Sequence, residues 1–273
     1  MDAAEPDPGP IEELTDCFTF WDAASETYPQ LDLTVSQPTT RNVPNSPTEL
    51  LIYAHGWNSE GKNGRDQAAT FEHALRANGY EHPVVNAQWE SDSFDLAEAG
   101  RRADECAHRL ADWLRDYRTR HPDVTIRLAG LSLGARVPLT TLEALDGDVT
   151  VATVSLFGAA VDATWLCSNS STGYDGAAID ASTGTIFNYY SNDDDTICTT
   201  YTIGNSNGGL GCDGADCTAL SGSGSTPDAY VDVDVTDEIG GHCAYQIQSG
   251  GIVSQVVTDF RAADTAVENR DDR

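Results

Sequence analysis

The pentapeptide Gly130-Leu131-Ser132-Leu133-Gly134 follows an apolar run at 124–128 and precedes the helical pattern ARVPLTTLEAL. Between glycines, a serine can be held in a strained strand-to-helix turn where larger neighbours would collide with backbone. Such a turn lifts the hydroxyl above a sheet. It also aims the N-terminus of the next helix at the reacting centre, where developing negative charge is stabilised. The chemistry this suits is nucleophilic attack on a carbonyl, given a base and an acid from elsewhere in the chain.

In this strand–turn–helix setting the sequence resembles the α/β-hydrolase superfamily. Ser132-Leu133-Gly134-Ala135-Arg136 is similar to the elbow of its lipase-like branch, with Leu131 where that branch usually carries histidine. The resemblance covers roughly residues 48–260. It implies that His55-Gly56-Trp57, at the end of an earlier apolar run, forms the oxyanion-hole loop. The backbone N–H groups of Trp57 and Leu133 would then bind the tetrahedral oxyanion, with His55 a structural residue.

The family order places the acid after a later strand and before the histidine. Strand-like IFNYYS runs into Asp193-Asp194-Asp195, which offers three carboxylates. The spacing that the resemblance implies, counted from Ser191, selects Asp194. For the base, His73 and His108 fall in helical patterns, and His82 and His121 lie in loops beside prolines. His242 stands in GGHCAY, between the last strand and a closing helix, where small residues suit a loop that brings imidazole to a nucleophile. The implied triad is Ser132, Asp194 and His242, cleaving carboxylic esters through an acyl-enzyme. Amidase or peptidase action with the same residues, or a non-catalytic binding protein of this fold, are the alternatives. No metal or organic cofactor is needed for this chemistry, and Trp57, Trp165, Leu133 and Phe157 are candidates for apolar pocket walls.

Short apolar runs at 50–53, 83–89, 124–128 and 150–158 alternate with helical patterns at 65–80, 96–120 and 135–145. That alternation predicts an α/β fold, a mostly parallel central sheet with helices on both faces. Residues 1–30 read as a tail and first extended segment, 31–265 as a single domain, and 266–273 as a C-terminal tail. Within the domain, 163–227 is rich in Ser, Thr, Gly, Asn and Asp and reads as a loop-rich insertion around the strand at 184–191.

The 44 acidic and 15 basic residues give a formal charge of −29, spread along the whole chain. Phosphate would be repelled at nearly every face, so a nucleic-acid partner is not expected. The expected partner is a small-molecule ester or a lipid, without stable membrane insertion, because no apolar stretch approaches the length of a span. Aspartate exceeds glutamate, Lys62 is the only lysine and Met1 the only methionine, a style resembling salt-adapted archaea. Of seven cysteines, Cys106 sits inside a helical pattern, and the other six lie in loops or at element ends. Up to three disulfides and an extracellular or cell-surface setting follow as expectations, the alternative being the cytoplasm of a salt-accumulating archaeon.

Overall fold

The computed structural model describes residues 24–168, 174–201, 208–219, 224–247 and 251–271, with the side chains of 200 and 267–271 outside that description. Eight strands form one sheet: β1 (Gln30–Asp32), β2 (Thr39–Arg41), β3 (Glu49–Ala54), β4 (Val84–Gln88), β5 (Thr125–Leu131), β6 (Val151–Phe157), β7 (Thr183–Tyr190) and β8 (Tyr230–Asp234). Their order is β2-β1-β4-β3-β5-β6-β7-β8. Every adjacent pair is parallel except β1 with β2, which is antiparallel at the edge. The interior strands β3 and β4 are buried along their full length, as expected of strands covered on both faces.

Helices cover both sides. On one face, α2 (Leu96–Arg120), α3 (Arg136–Leu145) and α4 (Gly176–Ser182) pack against Leu50, Ile52, Ile126, Leu128 and Val154. On the other, α1 (Lys62–Ala77) and the last helix meet Leu51, Tyr53, Ala129 and Leu131. The split follows from the period of two along each strand, which sends alternate residues to opposite faces. Helix α2 starts at Asp95, whose carboxylate accepts the N–H groups of Ala97 (2.9 Å) and Glu98 (3.3 Å). Asp175 caps α4 in the same way.

An ion-pair cluster around the buried Arg127, with Asp264 half-exposed, braces the N-terminal half of β5. Arg127, 1% exposed, donates to Glu49 of β3 at 2.6 Å and to Asp264 at 2.7 Å, and lies 4.5 Å above the Phe260 ring. Its second terminal nitrogen reaches the Thr153 hydroxyl of β6 at 3.1 Å.

The parallel sheet with helices on both faces is as the sequence predicts. Three elements differ. The edge strand β2 lies in the polar stretch around 38–42, where all three of its residues are exposed and leave no apolar alternation to read. The segment 163–227 contains α4 and a short helix α5 (Leu210–Asp213) as well as β7. The closing helix α6 runs Val253–Asp271, through residues that the sequence assigns to a tail. Two disulfides staple this insertion, Cys167–Cys217 and Cys198–Cys212, while Cys106 is free and buried. Cys212 and Cys217 are each bonded to a distant partner and not to one another. Cys243 is disulfide-bonded as well, and Cys17 lies outside the described residues.

Candidate active site

Ser132 opens a 3-10 turn (Ser132–Ala135) between β5 and α3. Its φ of 56° lies in the left-handed region that a side chain rarely adopts without support. The support comes from close backbone packing on both sides. A β-carbon on Gly134 would stand 2.3 Å from the carbonyl oxygen of His55, and one on Gly130 would stand 2.7 Å from that of Gly134. Only hydrogen fits at either position. The Ser132 carbonyl is itself fixed by the Ala160 N–H at 3.1 Å.

Strands β3, β5, β6, β7 and β8 are mutually parallel, so the segments leaving their C-terminal ends gather at one edge of the sheet. The loop after β3 carries His55, Gly56 and Trp57, and a β-carbon on Gly56 would lie 3.6 Å from the β-carbon of Ser132. The turn after β7 carries Asp194, and the segment after β8 carries His242. His242 Nδ1 donates to Asp194 Oδ2 at 2.7 Å. Asp194 is fully buried, whereas Asp193 and Asp195 are exposed. Ser132 Oγ makes no hydrogen bond among the described residues. Catalytic hydrogen bonds are often loose before substrate is present.

The Asp194 carboxylate is held by more than the histidine. Oδ2 also accepts the Tyr245 hydroxyl at 3.1 Å, and Oδ1 accepts the Ile197 N–H at 3.1 Å. Burial, reinforced by the neighbouring Asp194 charge, pushes the Tyr245 phenol well above its usual range, so it stays a donor. Gly158, leaving β6 with φ 47°, closes over this pair: a β-carbon there would stand 2.7 Å from Asp194 Oδ2 and 3.1 Å from His242 Nδ1. The Cys198–Cys212 bridge secures the Asp194 turn from the other side, with the Cys198 N–H donating to the Asp194 carbonyl at 2.8 Å.

The parallel order of the strands, the helices on both faces and the tight strand-to-helix turn after β5 decide the architecture. The fold is that of the α/β-hydrolases. No family model matches the chain, and no curated protein does. Among solved structures, an α/β serine hydrolase without a lid from Xanthomonas campestris is 15% identical, over 84% of this chain and 87% of that one, with a TM-score of 0.45. An esterase from Pyrobaculum calidifontis is 15% identical over 82% and 80%, with a TM-score of 0.45. A truncated carbohydrate esterase from gut microbiota is 12% identical over 89% and 99%, with a TM-score of 0.46.

Within this α/β-hydrolase fold, His55 is fully buried and stacks on Trp89 at 5.6 Å. Its Nδ1 donates to the Gly56 carbonyl at 3.1 Å. Burial lowers its pKa to about 4, so it is neutral near pH 7. The Trp57 indole donates to the Ser93 carbonyl at 2.9 Å and is partly buried, as is Trp165. Phe157 and Leu133 differ from the sequence expectation of pocket walls. Phe157 is packed between Phe71 and Tyr189 in the core, and the Leu133 side chain is buried on the opposite side of the sheet. Neither Tyr245 nor Gly158 is marked by a motif in the sequence. The one available signal was a glycine at a strand end, which often marks close backbone approach.

Proposed function

We propose that this chain hydrolyses carboxylic esters through an acyl-enzyme formed on Ser132. The observation that carries the reading is the left-handed, glycine-closed turn at Ser132, on the same sheet edge as the hydrogen bond from His242 to the buried Asp194. His242 takes the proton of Ser132 as the hydroxyl attacks the ester carbonyl, and passes it to the departing alcohol. Asp194 holds the imidazole in the tautomer with hydrogen on Nδ1 and stabilises the imidazolium that forms. The N–H groups of Trp57 and Leu133 receive the oxyanion, the latter at the start of a helical segment where N–H groups have no partner further back. Water, activated by the same histidine, then releases the acid.

The substrate in this reading is a small-molecule ester or a lipid, and no described helix is long and apolar enough to cross a membrane. The two disulfides support work in an oxidising compartment outside the cytosol. The acidic excess supports work in concentrated salt.

The deciding experiment is labelling with a fluorophosphonate probe, followed by turnover of p-nitrophenyl esters beside a panel of amides. Labelling is expected in the folded wild type and not in Ser132→Ala. Amide turnover without ester turnover would transfer the assignment to an amidase or peptidase. No labelling of folded protein in high salt would leave a non-catalytic protein of this fold.

A further inference from the structure

We propose that Gln67 is a positioning residue that sets the direction of the Trp57 N–H, an inference that rests on the ester-hydrolase reading above. Gln67 lies on α1 and is 3% exposed. Its Oε1 accepts the Gly56 N–H at 3.0 Å, and its Nε2 donates to Ser59 Oγ at 2.9 Å. Ser59 Oγ in turn donates to the Trp57 carbonyl at 3.2 Å. One carboxamide therefore grips the loop on both sides of the Trp57 nitrogen.

The peptide between those two anchors is fixed by a third group. The Gly56 carbonyl shares its peptide plane with the Trp57 N–H and is held by His55 Nδ1 at 3.1 Å. No described peptide is cis, and in a trans peptide the carbonyl and the N–H point to opposite sides. Holding Gly56 O against His55 thus turns the Trp57 N–H away from His55. The Gln67 contacts stop the flanking planes from rotating it elsewhere. An oxyanion donor is useful only when aimed at where charge develops, before the reaction begins.

Gln67 has the two functions this task needs in one planar group, an acceptor for Gly56 and a donor for Ser59. Glutamate would keep the acceptor and lose the donor; methionine would lose both at similar length. The same Oε1 lies 3.4 Å from the Tyr53 hydroxyl, which donates at 2.8 Å to Gln246, four residues beyond His242. A disturbance reaching the base by that route would alter the pH–rate profile, whereas misaiming of the oxyanion donor would not.

The test measures kcat, KM and pH profile for Gln67→Met, Gln67→Glu and Ser59→Ala, with affinity for a trifluoromethyl ketone that forms a tetrahedral oxyanion adduct on Ser132. Outright loss of an oxyanion donor costs about 100- to 1,000-fold in kcat, so misaiming one is expected to cost about tenfold or more in Gln67→Met. KM should stay within about twofold, ketone affinity should fall by the same factor as kcat, and the pH limbs should not move. Gln67→Glu should fall between Gln67→Met and wild type.

A kcat within about twofold of wild type in folded Gln67→Met would overturn the proposal, as would a shifted pH limb or equal losses in substrate and ketone binding. If Gln67→Met does not fold, Ser59→Ala decides: a lower kcat at unchanged KM supports the proposal, and an unchanged kcat overturns it. Wild type that turns over no ester would instead overturn the reading of Ser132, which keeps the two failures distinct.

Discussion

His242 Nδ1 lies 2.7 Å from Asp194 Oδ2, an oxygen that also receives the Tyr245 hydroxyl at 3.1 Å. Two donors on one carboxylate oxygen fix the acid's orientation and leave the imidazole one tautomer. Asp194→Asn would present an amide where that tautomer needs an acceptor, so kcat should fall by about 10⁴. Asp193→Asn and Asp195→Asn alter exposed side chains and should stay within about threefold. Steady-state kinetics on the three variants would check this, and a comparable loss in either neighbour would remove Asp194 from the role.

Gly158 and Gly241 make a matched pair of tests. Gly158→Ala would place a methyl 2.7 Å from Asp194 Oδ2 at a φ of 47°, whereas nothing lies within 4 Å of a β-carbon on Gly241. Gly158→Ala is expected to lower kcat at least tenfold and to destabilise the fold by roughly 1–3 kcal/mol through strain. Gly241→Ala should be near wild type in both, although it is the residue beside His242. Urea titration and kcat on the two variants give the comparison.

The two staples differ in the length of chain they close. Cys198–Cys212 spans 14 residues and Cys167–Cys217 spans 50. Loop-closure entropy gives about 3 kcal/mol for the first and about 4 kcal/mol for the second. Replacing both cysteines of a pair with serine should lower stability in that order. Activity at a temperature where both variants remain folded should reverse it, because only the shorter bridge adjoins the turn of Asp194.

His55 makes stability depend on pH. Its folded pKa is lowered by burial to about 4 from an unfolded 6.5, so below 6.5 the unfolded chain binds the extra proton. Stability is then retained above pH 6.5 and lost as pH falls toward 4, by about 3 kcal/mol from this group. The many carboxylates titrate in the same range, so the clean measure is the difference between wild type and His55→Asn in urea unfolding. A difference that does not change between pH 7 and 4.5 would contradict the buried neutral histidine.

Much of this architecture is legible in the chain. The apolar runs of β3 and β5 read as buried strands because both faces of each are covered, and the glycines around Ser132 announce a turn with no room for side chains. Asp194 is not distinguished by composition: three consecutive aspartates look alike, and what separates them is that only the middle one turns inward. Tyr245 and Gln67 left no trace, since a buried tyrosine and a helix glutamine occur everywhere. Their meaning comes from partners 51 and 11 residues away. The strand β2 escaped because an exposed edge needs no apolar pattern.

Arg127 sits on the strand that delivers Ser132, five residues earlier. Its clasp on Glu49 and Asp264 works as an indexing pin. Sliding β5 by one residue would swing the guanidinium to the opposite face, away from Glu49 and Asp264, and would carry the elbow about 3.3 Å along the sheet. A one-residue slip of the central strand therefore buries a charge away from its counter-ions, at a free-energy cost that the native register avoids. The position of Ser132 at the C-terminal end of β5 is gauged by a contact near the strand's N-terminal end.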